Sequence, residues 1–153
     1  MAGDIGQWLQ LAARAHRARL AEAIEDLGLF PGQETVLVAL AEAEALSVGD
    51  LAEALKVRPP TISKTLQRLT VQGLVERRDG EGDARRTTVT LTKEGKRRAK
   101  ALGSRLEAVE TATLEALDEK DGKRLRKLLK RVARHLAKDR ADTGATDTAD
   151  EQD

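Results

Sequence analysis

The chain has no cysteine and no tyrosine, a single tryptophan and a single phenylalanine. Without cysteine there is no disulfide, no thiolate metal ligand and no thiol redox switch. With only Trp8 and Phe30 as aromatic side chains, stacking against a planar ligand has little support. The two histidines, His16 and His135, lie far apart and have no ligand-type partner at metal-binding spacing, so neither a metal nor another cofactor is expected. No run approaches the ~18 apolar residues that would cross a bilayer. The opening MAGDIGQWLQ lacks the charged start and apolar segment of a signal peptide, so a cytoplasmic protein is expected. No nucleophile elbow or triad-like context is present. The glycine-containing stretch Asp79-Gly80-Glu81-Gly82 is acidic and would repel a phosphate. These absences argue against an enzyme.

What is present is charge, and its distribution is uneven. The 153 residues carry a net +1, with 35% charged and 40% apolar, as in a soluble one-domain protein. Residues 141–153 hold five acids and no base, which leaves +6 on residues 1–140. Residues 56–98 hold twelve Lys/Arg against five Asp/Glu, a net of +7. Basic charge concentrated on one stretch points to phosphate as the partner.

That stretch also has the most local structure. Ser47 and Asp50 form a candidate capping box ahead of Leu51, Ala52 and Leu55. Lys56-Val57-Arg58 reads as a turn, and Pro59-Pro60 as the start of the next helix, where missing amide hydrogens cost little. Ile62, Leu66 and Leu69 at i, i+4, i+7 mark its buried face. Thr61, Ser63, Lys64, Gln67 and Arg68 fall on the opposite face. Gly73 is a left-handed stop. Two alternating segments follow, from Leu74 to Arg78 and from Thr87 to Thr92, around the turn Asp79–Asp83. Helix, turn, helix and hairpin in that order describe a winged helix-turn-helix, which puts its second helix into the DNA major groove.

The chain resembles the MarR family of bacterial transcription regulators over about residues 5–138. The resemblance rests on Leu29-Phe30-Pro31-Gly32-Gln33, Thr61-Ile62-Ser63-Lys64, Gly73-Leu74-Val75-Glu76-Arg77, and Asp83-Ala84-Arg85 followed by Val89-Thr90-Leu91-Thr92-Lys93-Glu94-Gly95. It implies a mostly α fold with a small β-hairpin wing, and terminal helices that interlock with those of a second subunit. The expected layout is one domain over 1–138. The winged module occupies about 30–92, the dimerisation helices about 4–27 and 93–138, and an acidic, disordered tail 139–153.

The flanking periodicity fits that layout. Ile5, Leu9, Ala12, His16, Leu20, Ile24 and Leu27 recur at three- and four-residue steps. Gly28 ends that helix, and Pro31 opens another with Val36, Leu37, Leu40 and Ala41 inward. Ala99, Leu102, Leu106, Val109, Thr113 and Leu117 make a narrow stripe on the helix that Thr92 caps. Leu125, Leu128, Leu129, Val132 and Leu136 make another on a helix capped by Asp118. Narrow stripes are often seams between helices, within one chain or between two.

The functional expectation is a sequence-specific DNA-binding regulator, a ligand-responsive dimeric repressor on a palindromic operator. Thr61 and Ser63 can hydrogen-bond phosphates or base edges, and Arg58 sits beside them. Lys64, Gln67 and Arg68 have the reach for base readout. The resemblance implies that Arg85 enters the minor groove, with Asp83 orienting it. Arg77, Arg78 and Arg86 would add phosphate contacts. It also implies a small-molecule effector between the winged module and the dimerisation helices, where Trp8, Leu11, His16, Val36 and Leu40 are the candidate walls. The alternative is an architectural or protein-interaction module without operator specificity.

Overall fold

The computed structural model describes residues 2–78 and 87–144. The elements run α1 Ala2–Glu25, α2 Gln33–Ala43, β1 Ala45–Ser47, α3 Val48–Leu55, α4 Pro59–Val71, β2 Val75–Arg78, β3 Thr88–Leu91, α5 Lys93–Leu114 and α6 Glu119–Gly144. The chain divides into two units, 1–112 and 113–153. Among the described residues no helix is long and apolar enough to cross a membrane.

In the first unit, local chemistry sets each boundary. The Ser47 hydroxyl accepts the Asp50 N–H at 3.0 Å, and the Asp50 carboxylate accepts the Ser47 N–H at 3.3 Å. This reciprocal box starts α3. Lys56 ends it in a left-handed conformation, φ 55°. Arg58 is extended, as a residue before proline must be, and Pro59 and Pro60 open α4. Gly73, at φ +70°, ends α4 while the Leu74 N–H donates to the Leu69 carbonyl at 2.9 Å. Thr92 then caps α5: its hydroxyl accepts the Gly95 N–H at 3.0 Å and donates to the Gly73 carbonyl at 2.6 Å.

The sheet has three antiparallel strands in the order β1-β3-β2. Leu46 pairs with Val89, and Val75 with Leu91. The hairpin accounts for β2 and β3; β1 is an addition to the sequence expectation. Glu44, at φ 64°, turns the chain out of α2 and lays Ala45–Ser47 along the open side of β3. That strand would otherwise present unpaired backbone groups along one edge.

One core joins α1, α2, α3, α4, the sheet and α5. Ile24, Leu37, Leu40, Leu51, Leu66, Leu69, Leu74, Val89 and Leu102 are fully buried in it. Only the C-terminal part of the α1 stripe takes part: Ile24 is buried and Leu20 and Leu27 pack against the cluster. Ile5 and Leu9 remain exposed, and so does Ala41, which was expected to face inward.

The second unit contains α6, started by Asp118, whose carboxylate accepts the Asp121 N–H at 2.7 Å. The helix continues to Gly144, beyond the expected end near residue 138. Between Lys138 and Gly144 the sequence offers neither proline nor glycine to stop it. Leu125, Leu128, Leu129, Val132 and Leu136 are each between 36% and 54% exposed.

Candidate nucleic-acid interface

The interface is built from α4 outward. Ile62, Leu66 and Leu69 anchor one face of α4 in the core. That burial fixes the rotation of the helix, so Thr61, Ser63, Lys64, Gln67 and Arg68 are all presented to solvent. Arg58 is exposed at the N-cap, just before the paired prolines. Hydroxyls and a cation surround the positive end of the helix dipole, and longer amide and guanidinium side chains lie one turn further on. Among the described residues Lys64 and Arg68 take part in no ion pair, so both cations are available to a ligand.

On the wing, Arg77 is exposed on β2. Arg78 is engaged: its Nη2 and Nε both donate to Glu76 Oε1, at 2.7 and 3.0 Å. Part of its charge is answered locally, which leaves less of it for an anionic partner than at Arg77. Asp83, Arg85 and Arg86 lie outside the described residues.

Two glutamines that sequence reasoning missed hold the far end of α4. Gln72 Nε2 donates to the Gly28 carbonyl at 3.0 Å, and Gln72 Oε1 accepts from Gln33 Nε2 at 3.1 Å. Gln33 Oε1 in turn accepts the Phe30 N–H at 3.1 Å, and Gln33 is buried. The α1–α2 connection is therefore tied to the end of the helix that carries Gln67 and Arg68. Arg98 ties it to α5 as well, donating to the Leu27 carbonyl at 2.7 Å, and Arg105 pairs with Asp26. Gln33 was visible as part of a motif, but nothing local marked its partner.

At the start of α5, hydrogen bonds from Arg97 and then Arg98 hold the Glu94 carboxyl down at about 2, from an ordinary 4.5. The same bond raises Arg97. The acid thus stays ionised and answers two of the four cations between Lys93 and Arg98.

The sequence profile of the MarR family matches residues 27–86. The uncharacterized HTH-type transcriptional regulator YwoH of Bacillus subtilis is 30% identical over 110 residues, 72% of this chain and 80% of YwoH. The chain belongs to the MarR family of transcription regulators. The HTH-type transcriptional repressor MdtR of Bacillus subtilis is 30% identical over 92 residues, 60% of this chain and 59% of MdtR. The fold is that of S. aureus MepR in its DNA complex. The TM-score is 0.80 at 22% identity, over 86% of this chain and 97% of MepR.

For a MarR-family chain, the residues expected to wall an effector site are not brought together here. Val36 and Leu40 are sealed in the core. Trp8, Leu11 and His16 are exposed on α1. Periodicity put His16, Val36 and Leu40 on apolar faces, but α2 spends its face on the core of its own unit. A cleft of about 630 Å³ lies elsewhere, lined by Phe30, Gln33, Gln67, Arg68, Val71 and Gln72. Phe30 and Val71 are its exposed apolar walls. Among the described residues no group of three or more His, Cys, Asp or Glu side chains could hold a metal ion.

Proposed function

We propose that this MarR-family regulator is a homodimeric, ligand-responsive repressor that reads a palindromic operator in double-stranded DNA. The observation that carries the reading is the division of α4. Its apolar face is locked into the core, and Thr61, Ser63, Lys64, Gln67 and Arg68 face solvent on the other side.

In this mechanism α4 enters the major groove. Thr61, Ser63 and Arg58 position its N-terminus on the phosphates. Arg68 donates to guanine, Gln67 pairs with adenine, and Lys64 reaches a guanine or a phosphate. Arg77 follows the backbone beside the wing, Arg85 enters the minor groove with Asp83 steering it, and Arg86 adds a phosphate contact.

The dimer is supported by apolar surface exposed among the described residues. Ile5 is 78% exposed and Trp8 61%, and the apolar row of α6 is half-exposed throughout. A second copy with two-fold symmetry would cover these stripes and set two reading helices one DNA turn apart. Repression follows from occupancy of the operator, and MdtR is a named repressor. Such a protein acts on DNA in the cytoplasm and needs neither catalysis nor a cofactor.

The cleft beside α4 supports the effector role. Its volume lies within the usual range of small-molecule sites, ~300–1,000 Å³. A molecule held between Phe30 and Val71 would touch Gln67 and Arg68, so it would compete directly with base readout. Differential affinity for the free and DNA-bound states is all that release requires.

The test is an anisotropy titration with palindromes taken from the intergenic DNA beside the coding region, against scrambled duplexes. Two chains per duplex and a preference of at least about a thousandfold are expected. Equal binding to every duplex would instead indicate an architectural protein, and no binding a protein-interaction module.

A further inference from the structure

Val71 is the last residue of α4 and, at 85%, the most exposed large apolar side chain among the described residues. At about 100° per residue, it lies about 170° round the helix from the mean direction of Ile62, Leu66 and Leu69. It therefore stands in the middle of the exposed face and not at the margin of the core. Its neighbours on that face are Ser63, Lys64, Gln67 and Arg68, all polar or cationic.

Side chains four apart form ridges along a helix. On α4 one ridge runs Ser63, Gln67, Val71, and the next runs Lys64, Arg68, Gln72. Gln72 is committed to the Gly28 carbonyl and to Gln33, so the second ridge stops at Arg68. The first stays exposed to its end, where it presents an isopropyl group. Water gives no reason for an apolar side chain at the centre of a polar face. A base edge does, because thymine alone carries a methyl group in the major groove. We infer that Val71 is a specificity residue of the winged unit, which packs on the C5-methyl of a thymine.

The inference rests on α4 being the helix that enters the groove, and the ridge then places the thymine. Gln67 and Val71 are one turn apart, about 6 Å along the axis. At about 3.4 Å per base pair, that is about two base pairs. The thymine stands that far from the adenine read by Gln67, on the side away from the start of α4. Phe30 lines the same cleft as Val71 and keeps that end of the ridge apolar. A small molecule in the cleft would cover the Val71 methyl groups together with Gln67 and Arg68, and so would remove the methyl contact along with the hydrogen bonds.

The test replaces thymine by deoxyuridine, which keeps every hydrogen-bonding group and loses only the methyl. The probe is the intergenic palindrome that the wild-type chain prefers over scrambled duplexes, substituted at one symmetric thymine pair at a time and titrated by anisotropy. One pair should weaken wild-type binding about tenfold, the worth of two buried methyl groups in the two half-sites. Gln67→Ala, which relaxes preference at its own adenine, should map that adenine about two base pairs away. In Val71→Ala, which withdraws both methyl groups of the side chain, thymine and deoxyuridine should bind alike at that pair. Val71→Ile should restore the difference. Alanine is the better helix former on an exposed face, so folding is preserved. A wild-type chain that prefers the operator but is indifferent to every thymine methyl overturns the inference and leaves the reading of α4 intact. So does a methyl effect that persists in Val71→Ala, because another side chain would then be reading it. A wild-type chain with no preference for any palindrome overturns both.

Discussion

The carbonyl oxygen of Leu74 occupies the space where a Cβ on Gly95 would sit. The same carbonyl accepts the Thr92 N–H at 3.1 Å. The first turn of α5 is thus pressed against the turn that follows α4 and the start of β2. Gly95→Ala should destabilise the protein by about 3 kcal/mol, because backbone and not a movable side chain blocks the methyl group. In an exposed helix interior the same change usually helps by ~1 kcal/mol. Gly103, on the same helix with open space around it, is the control. Thermal melts should move in opposite directions for Gly95→Ala and Gly103→Ala.

Gln72 carries a second junction. Gln72→Ala leaves the Gly28 carbonyl and the buried Gln33 amide without their partner, at a cost of about 2 kcal/mol. Gln33→Ala removes one of the same bonds. The double variant should therefore cost less than the sum of the singles, by about 1 kcal/mol. Denaturant titration at fixed protein concentration measures this, and strict additivity would mean that the bridge is not formed in solution.

Features set by neighbours in the chain were legible beforehand. Ser47 with Asp50, Pro59 with Pro60, and Gly73 each mark a boundary through local hydrogen bonding or backbone geometry. The winged module could be read from them. Features set by distant partners were not. Strand β1 is three residues with no alternation to display, and it exists because β3 had an open edge. Gln72 finds Gln33 across 39 positions, a spacing with no periodic signature. Hydrophobic period assigned the apolar faces of α1 and α2 correctly for Ile24, Val36 and Leu40. It could not say that Val36 and Leu40 would close against the core while Trp8 and Leu11 stayed outside. An apolar stripe states that something covers it, and the covering element is decided elsewhere in the fold.

Glu94 gives a pH test. Its carboxyl titrates at about 2, chiefly because Arg97 and then Arg98 donate to the ionised form. A lowered carboxylate pKa contributes stability that is fully present above its ordinary value of 4.5 and is lost as pH falls towards about 2. Wild type and Glu94→Gln should therefore differ in melting temperature at pH 6 and converge as the pH approaches 2. A carboxyl-carbon NMR titration should place the Glu94 midpoint far below those of the other glutamates. An ordinary midpoint would show the Arg97–Glu94–Arg98 cluster to be open in solution.

Leu129 tests the dimer. It is 44% exposed in one chain, and in a monomer Leu129→Asp would fall among surface changes worth about ±0.5 kcal/mol. Inside a seam the buried carboxylate should dissociate or unfold the protein. Sedimentation velocity at micromolar concentration should show a wild-type dimer and a Leu129→Asp monomer or unfolded chain. A wild-type monomer would remove the two-headed mechanism.

The two proposed DNA contacts separate by what each would read. Gln67 and Arg68 lie on the exposed face of α4, one turn beyond Ser63 and Lys64, and their side chains match the base edges of adenine and guanine. Arg68→Ala or Gln67→Ala should cost about 1–3 kcal/mol on the operator and relax preference at one position. On scrambled duplexes Gln67→Ala should cost almost nothing, since a neutral amide neutralises no phosphate. Arg85 is expected to follow the groove and backbone, which have the same charge at every sequence. Arg85→Ala should weaken binding to operator and scrambled duplex alike, and should flatten the dependence of log K on log salt by about one unit per lost contact. A wild-type dimer with ~8 phosphate contacts should show a slope near about −7. Anisotropy titrations at several salt concentrations supply all of these numbers. Should Arg85→Ala leave both affinity and slope unchanged, the wing is not a DNA contact. Should all three substitutions be silent on every duplex, α4 does not face DNA, and its exposed residues serve a protein partner instead.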